Sequence, residues 1–149
     1  MKIVPLEHEE QASFVTEVKY RFRNNPTFIE ELFFSVPNGI FVGGGSRGGR
    51  SATIAKQKAE GFNLGVADIL YLQPRGLHPY MAIEMKRQGR QNRKDGEMRP
   101  DQILFRDAAL KVGAYHIIAY GADEAILQFA TYMLLPAVTP IFISSSSIK

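Results

Sequence analysis

Three residues on two neighbouring strand-like runs have side chains suited to hydrolytic chemistry. Asp68 lies in the run ADILYLQ (67–73), and Glu84 and Lys86 lie in the run YMAIEMK (80–86). Because side chains alternate along a strand, Glu84 and Lys86 project from the same face. Adjacent strands lie about 5 Å apart, so pairing of the two runs places Asp68 near Glu84.

Such a group of side chains is typical of a metal-dependent hydrolase. Two close carboxylates repel each other and retain protons unless a cation lies between them. Carboxylate oxygens suit hard ions such as Mg²⁺. A lysine beside the ion can orient a water molecule or stabilise an anion, and a phosphodiester is the most natural substrate. Solvated charges or a surface ion pair near the strand ends are the alternative interpretation.

Length and composition predict a single globular domain over residues 1–149. The 149-residue chain is 45% hydrophobic and 22% charged, which is ordinary for a protein with a hydrophobic core. No run approaches about 18 apolar residues, and residues 1–11 lack the apolar core of a signal peptide. Because the chain contains no cysteine, it has neither disulfides nor thiolate metal sites. We therefore expect no membrane association and a cytoplasmic location, in a bacterium or a phage-infected cell.

Basic residues are clustered, although the net charge is only +3. Residues 47–58 contain four cations before any acid, and residues 86–99 contain six cations against two acids. Clustered positive charge favours nucleic-acid binding, and the alternative is a soluble protein with basic loops. The candidate DNA contacts are Arg47, Arg50, Lys56, Lys58, Arg87, Arg90, Arg93 and Lys94.

The first element that positions these side chains is a predicted helix over residues 7–24. Phe14 and Val18 recur at a four-residue step on its apolar face. Glu7 and Glu10 lie in its first turn, where the helix dipole favours anions. One glutamate of this turn could instead point into the site formed by the strands.

The next part of the chain is mostly turns and loops. Residues 27–36 form an aromatic-rich run that fits a short helix turning into a strand, although the periodicity does not separate the two parts. GGGSRGGRS, residues 43–51, predicts a flexible loop and is not a P-loop because GxxxxGK[ST] is absent. A short helix is predicted over residues 53–60, a polar loop over 88–99, and a loose tail over 144–149.

The last part of the chain alternates helix and strand. Pro100, at a favoured first-turn position, starts a helix that continues over residues 101–112. A buried strand (115–120) and a second helix (124–134) follow it. Gln102 lies in the first turn of the former helix, beside the end of the strand that carries Glu84 and Lys86. The order of elements predicts an α/β fold with a mixed central β-sheet flanked by helices.

The motifs in this order resemble the VRR-NUC branch of the PD-(D/E)XK nuclease superfamily, in its small stand-alone form from phages and bacteria. The resemblance extends over residues 7–133. The matching stretches are EHEEQ (7–11), PNG (37–39), KAEGFNLGVADILYLQPRG (58–76), AIEMKR (82–87), PDQ (100–102) and GAYHIIAYGADEAI (113–126). The one departure is Ala67, where relatives often have proline; PDQ differs from the common PEQ only at Asp101, which is not a ligand position. The resemblance implies a restriction-endonuclease-like core.

The resemblance also implies roles for individual residues. Asp68 and Glu84 would coordinate Mg²⁺ or Mn²⁺, with the backbone carbonyl of Met85 as a third ligand. Lys86 would position the attacking water or help to deprotonate it, and Gln102 would complete the site. From the first helix, Glu7 best matches the family's E-x-x-x-Q spacing against Gln11, and Glu10 is the alternative.

Three functions compete at this point. The first, implied by the resemblance, is a structure-selective endonuclease that cuts branched DNA, such as four-way junctions or flaps, in recombination, repair or phage replication, acting as a homodimer. The second is a restriction-type nuclease with sequence specificity, for which 149 residues leave little room beyond the core. The third is a non-catalytic DNA-binding module on the same fold, although a pure binder has no use for buried like charges, which cost several kcal/mol.

Overall fold

The computed structural model describes residues 4–37 and 55–138. Within these residues the main helices and strands are, in order, α1 (Glu7–Phe22), β1 (Phe33–Ser35), β2 (Ile69–Tyr71), β3 (Met81–Lys86), α2 (Pro100–Lys111), β4 (Tyr115–Tyr120) and α3 (Ala122–Leu134). Short 3₁₀ turns lie at Glu30–Leu32 and Lys94–Gly96, and residues 55–59 are helical. Some predictions lie outside the described residues: Arg47, Arg50, the Gly-rich loop 43–51, the start of the predicted helix at 53–54, and the tail 144–149.

The four strands form one mixed sheet in the order β1-β2-β3-β4. Strands β1 and β2 pair antiparallel, as do β2 and β3, whereas β3 and β4 are parallel. The parallel pair is joined by a crossover that contains α2, as parallel strands require. The predicted fold class, a mixed sheet flanked by helices, is confirmed.

The two faces of β3 explain how the fold holds a polar site beside a hydrophobic core. Met81, Ile83 and Met85 point to one face, where they pack with residues of α1 and α3 in the main core. That core is rich in rings packed edge to face, such as those of Phe14 and Phe129, whose centroids are 6.1 Å apart. The alternate residues of β3 point to the opposite face, where the Gln102 side chain at the start of α2 contacts Glu84 and Lys86. The polar site lies on that second face.

Several predicted boundaries differ from the observed ones for local reasons. Helix α1 ends at Phe22 rather than at residue 24, because Asn25 begins a turn in which its side chain accepts hydrogen bonds from Thr27. Residues 27–36, predicted as a short helix turning into a strand, contain the short 3₁₀ turn followed by β1, which confirms that order. Helix α3 begins at Ala122 rather than at residue 124, because the buried carboxylate of Glu10 accepts the Ala122 N–H at 2.8 Å.

The prediction that residues 115–120 form a buried strand is wrong as to burial. All residues of β4 except Ala119 are only partly buried. Within the described residues β4 pairs on one side only, with β3, and so forms an edge of the sheet. None of the helices among residues 4–37 and 55–138 is both long and apolar enough to cross a membrane.

Candidate active site

The pairing of β2 with β3 places Asp68 beside the second half of β3. Ile69 is opposite Ile83, so the next position in this antiparallel register sets Asp68 opposite Glu84. The carboxylate Oδ2 of Asp68 accepts a hydrogen bond of 2.7 Å from the backbone N–H of Met85. The Asp68 side chain thus accepts the Met85 N–H in place of the backbone carbonyl that a longer pairing of β2 with β3 would have supplied. Strand β2 therefore begins at Ile69, and the Asp68 carboxylate is fixed against β3.

Glu84 is the most deeply buried acid among the described residues, at 1% exposure. Its Oε1 accepts hydrogen bonds from Lys86 Nζ and Gln102 Nε2. Its Oε2 is fully buried and has no hydrogen-bond partner among the described residues. Burial and, secondarily, the charge of Asp68 raise the pKa of Glu84 from its ordinary value of 4.5 to about 7. A buried carboxylate with one unsatisfied oxygen is costly, and perturbed acids of this kind cluster at functional sites.

Lys86 and Gln102 complete a buried polar cluster around Glu84. Lys86 Nζ lies 3.0 Å from Glu84 Oε1 and 3.3 Å from Gln102 Oε1, and the exposures of Lys86 and Gln102 are only 7% and 4%. An ammonium has three N–H donors. Within the described residues one donor therefore remains for a water molecule or a phosphate oxygen.

The start of α2 is what brings Gln102 to this cluster. Pro100 is its first residue, and the Gln102 side chain reaches back to accept the N–H of Arg99 at 2.9 Å, in the manner of a capping box. Gly65 packs directly under this turn, because a Cβ added to it would lie 2.2 Å from the Asp101 carbonyl oxygen. Gly65 was not among the predicted site residues, and only its place three residues before Asp68 could have suggested a role for it.

The two candidate acids of the first helix have different surroundings. Glu7 lies close enough to the site for its charge to interact with Asp68, Glu84 and Lys86, and partial burial raises its pKa while the Lys86 ammonium opposes that rise. Glu10 is buried and bonds to the N-terminus of α3 through the Ala122 N–H. The geometry therefore brings Glu7 to the strand residues and engages the Glu10 carboxylate elsewhere.

The donor set of the site fits a small divalent cation held with few protein ligands. Among residues 4–37 and 55–138, no three or more His, Asp or Glu side chains are grouped closely enough to hold a metal ion. Mg²⁺ commonly binds through one or two carboxylates and keeps several waters or substrate oxygens. Asp68 and Glu84, with the unpartnered Glu84 Oε2, fit that mode of binding, and the Met85 carbonyl belongs to the same segment of β3.

The predicted DNA contacts do not all have the same surroundings. Lys56 and Lys58 are exposed, and Lys56 lies 3.9 Å from Glu60. Arg87 differs from them, because its guanidinium donates to the backbone carbonyls of Val4 at 2.7 Å and Pro5 at 2.9 Å. It is partly buried at the end of β3, directly after Lys86.

The polar loop 88–99, which contains the other three candidates, is more organised than its composition indicates. Asp95 bridges Arg90, at 2.8 Å, and Arg93, at 3.6 Å, while Lys94 is exposed. A hydrogen bond from the Tyr120 hydroxyl to the Gly96 carbonyl, 3.1 Å long, ties the loop to β4. The loop is thus anchored near the end of the strand that carries Lys86.

Comparison with known proteins supports the fold assignment. A solved structure described as a VRR_NUC domain protein superposes with a TM-score of 0.66 at 22% sequence identity, covering 88% of this chain and 90% of that one. This chain has the VRR-NUC domain fold. No family model matches the sequence, and no curated protein matches it.

Proposed function

We propose that this protein is a member of the VRR-NUC family and a metal-dependent endonuclease that hydrolyses phosphodiester bonds in branched DNA. The observation that carries the proposal is the fully buried Oε2 of Glu84 beside Asp68, which has no hydrogen-bond partner in residues 4–37 and 55–138, on a fold shared with a VRR_NUC domain protein. An unsatisfied buried carboxylate oxygen needs a compensating partner. A divalent cation, Mg²⁺ or Mn²⁺, is the partner that this chemistry favours.

Asp68, Glu84 and the Met85 carbonyl would hold the ion, which when bound would polarise the scissile phosphate. Lys86 would use its remaining N–H donor to orient the attacking water or to stabilise charge on the leaving 3′-oxygen. Gln102 would keep both Lys86 and Glu84 in place, because its amide bonds to each of them. Glu7 would add negative charge at the edge of the site, where it interacts with Lys86.

The basic loop after β3 supports nucleic acid as the substrate. Arg90, Arg93 and Lys94 lie on the segment that leaves the strand of Glu84 and Lys86, and the bond from Tyr120 to Gly96 holds this segment. Phosphate contacts by such residues give affinity that falls with salt and is independent of base sequence. Arg47, Arg50, Lys56 and Lys58 are further proposed contacts.

Selection of branched DNA and action as a homodimer are part of the same proposal. Two-fold symmetry would set two active sites against two opposed strands, which is the geometry needed to resolve a four-way junction. The reaction would serve recombination, repair or phage replication in the cytoplasm. These features rest on the resemblance of the motifs and on the fold.

Cleavage of a labelled panel tests this function. The panel contains single strand, duplex, 5′ flap, 3′ flap and four-way junction, each with Mg²⁺, Mn²⁺ or EDTA. We expect metal-dependent cutting of the flaps or the junction and little cutting of plain duplex. Cutting of duplex at defined sequences would favour a restriction-type enzyme, whereas binding without cutting in every metal would favour a non-catalytic DNA-binding module.

A further inference from the structure

Arg87 is a partly buried basic residue next to the proposed catalytic lysine, and its guanidinium donates to backbone carbonyls of the protein. Its Nε donates to the Pro5 carbonyl at 2.9 Å, and its Nη2 donates to the Val4 carbonyl at 2.7 Å. One edge of the guanidinium is therefore engaged by backbone oxygens. That edge is one of those with which an arginine holds a phosphate in a bidentate manner.

The segment held by Arg87 leads directly into α1. Val4 and Pro5 precede Leu6, whose carbonyl accepts the N–H groups of Glu9 and Glu10 at 3.0 Å and so starts the helix. Glu7 is the first residue of α1. Burial raises the pKa of Glu7, and the nearby backbone N–H of Arg87 opposes that rise. Both the backbone and the side chain of Arg87 therefore act on the helix start that carries Glu7.

The other end of this first turn is fixed independently. Glu10 bonds to the Ala122 N–H at the start of α3, and Phe14 is buried in the core one turn further on. Loss of the Arg87 side chain would consequently free the residues before Glu10 without detaching the rest of the helix. The mobile part would include Glu7.

From these contacts we infer that Arg87 is a positioning residue for Glu7 and not a contact for nucleic acid. This inference rests on the proposed nuclease function and replaces the expectation that Arg87 binds DNA. It predicts that truncation of Arg87 slows the chemical step and leaves the DNA affinity unchanged. A 1 Å misplacement in an active site can lower rates by up to about 100-fold, so we expect kcat of Arg87→Ala to fall by about 10- to 100-fold.

The test compares Arg87→Ala and Arg87→Lys with Arg93→Ala, a matched change at an exposed arginine of the basic loop. For Arg87→Ala we expect a lower kcat and an unchanged KM in the cleavage assay. In EDTA, the slope of log DNA affinity against log salt concentration should also be unchanged. Arg93→Ala should make that slope shallower by about one. Lysine cannot bridge two carbonyls with a planar fork, so Arg87→Lys should restore little of the rate.

Coupling to Glu7 is the decisive part of the test. Because both residues would act through one carboxylate, the double variant Arg87→Ala/Glu7→Gln should be no slower than the slower single variant. A drop in affinity and salt slope for Arg87→Ala that equals the drop for Arg93→Ala would overturn the inference. So would rate losses that multiply in the double variant.

Hydrogen exchange keeps the test separate from the proposed function. We expect faster amide exchange in residues 4–10 of Arg87→Ala, unchanged exchange in the rest of α1, and no such change in Arg93→Ala. If the wild-type protein cut no DNA, the nuclease proposal would fail. Amide exchange and DNA binding of the variants would still show whether Arg87 holds residues 4–10 or contacts DNA. Unchanged exchange in residues 4–10 would refute the positioning role by itself.

Discussion

Replacement of Glu84 with glutamine should stabilise the metal-free protein at alkaline pH, although it destroys the proposed site. The pKa of Glu84 is raised from 4.5 to about 7, mainly by burial. Between these values the folded state binds more protons than the unfolded state, so wild-type stability falls as pH rises through this window. At about 1.36 kcal/mol per pH unit, the ionised carboxylate costs about 3 kcal/mol above pH 7. Glutamine does not titrate and still offers one oxygen to Lys86 and Gln102.

Urea unfolding in EDTA, from pH 4.5 to pH 8.5, measures this effect. The free energy of unfolding of Glu84→Gln minus that of the wild type should grow from near zero at pH 4.5 to about 3 kcal/mol at pH 8. The matched control is Glu31→Gln, which removes an exposed carboxylate. A difference between Glu84→Gln and the wild type that stays constant with pH would refute the reasoning, since the burial of Glu84 would then not oppose its ionisation.

Two further substitutions test the supports of the site. Gly65→Ala adds a Cβ that would lie 2.2 Å from the Asp101 carbonyl oxygen, so α2 must shift. We expect a loss of about 1–3 kcal/mol in the free energy of unfolding measured in urea, with slower cleavage. Unchanged stability would contradict the packing of Gly65 against α2. Asp95→Asn releases Arg90 and Arg93 from their ion pairs, and it should tighten DNA binding and steepen its salt dependence. If fluorescence anisotropy showed weaker binding for Asp95→Asn, the loop would need Asp95 for its shape.

The pairing of the two central strands was predictable because alternation and register are local rules. The run 80–86 contains β3 with one extra residue, and the expected closeness of Asp68 and Glu84 follows from the observed register of Ile69 with Ile83. The run 67–73 begins two residues before β2, because the Asp68 side chain takes over a backbone hydrogen bond there. A hydrogen bond that a side chain makes in place of the backbone leaves no periodic pattern in the sequence.

Contacts between residues far apart in the chain were not predictable. Glu7 and Glu10 are both first-turn acids, and the sequence favoured Glu7 only through its spacing to Gln11. The bond from the Ala122 N–H, 112 residues later, that occupies the Glu10 carboxylate leaves no local signal. Arg87 counts as a free cation in the sequence, whereas its partners are carbonyls 82 and 83 residues earlier. The roles of Glu7 and of the other site residues in catalysis remain predictions.

The central claim is that the buried cluster around Glu84 cleaves DNA with a metal ion. The most direct measurement is the rate of Mg²⁺-dependent cutting of a labelled four-way junction by the wild type and by Lys86→Ala, with binding measured in parallel in EDTA. Lys111→Ala, at the exposed far end of α2, is the control. We predict cutting by the wild type and the control, and loss of cutting with binding kept in Lys86→Ala. Cutting by Lys86→Ala at the wild-type rate would contradict the claim.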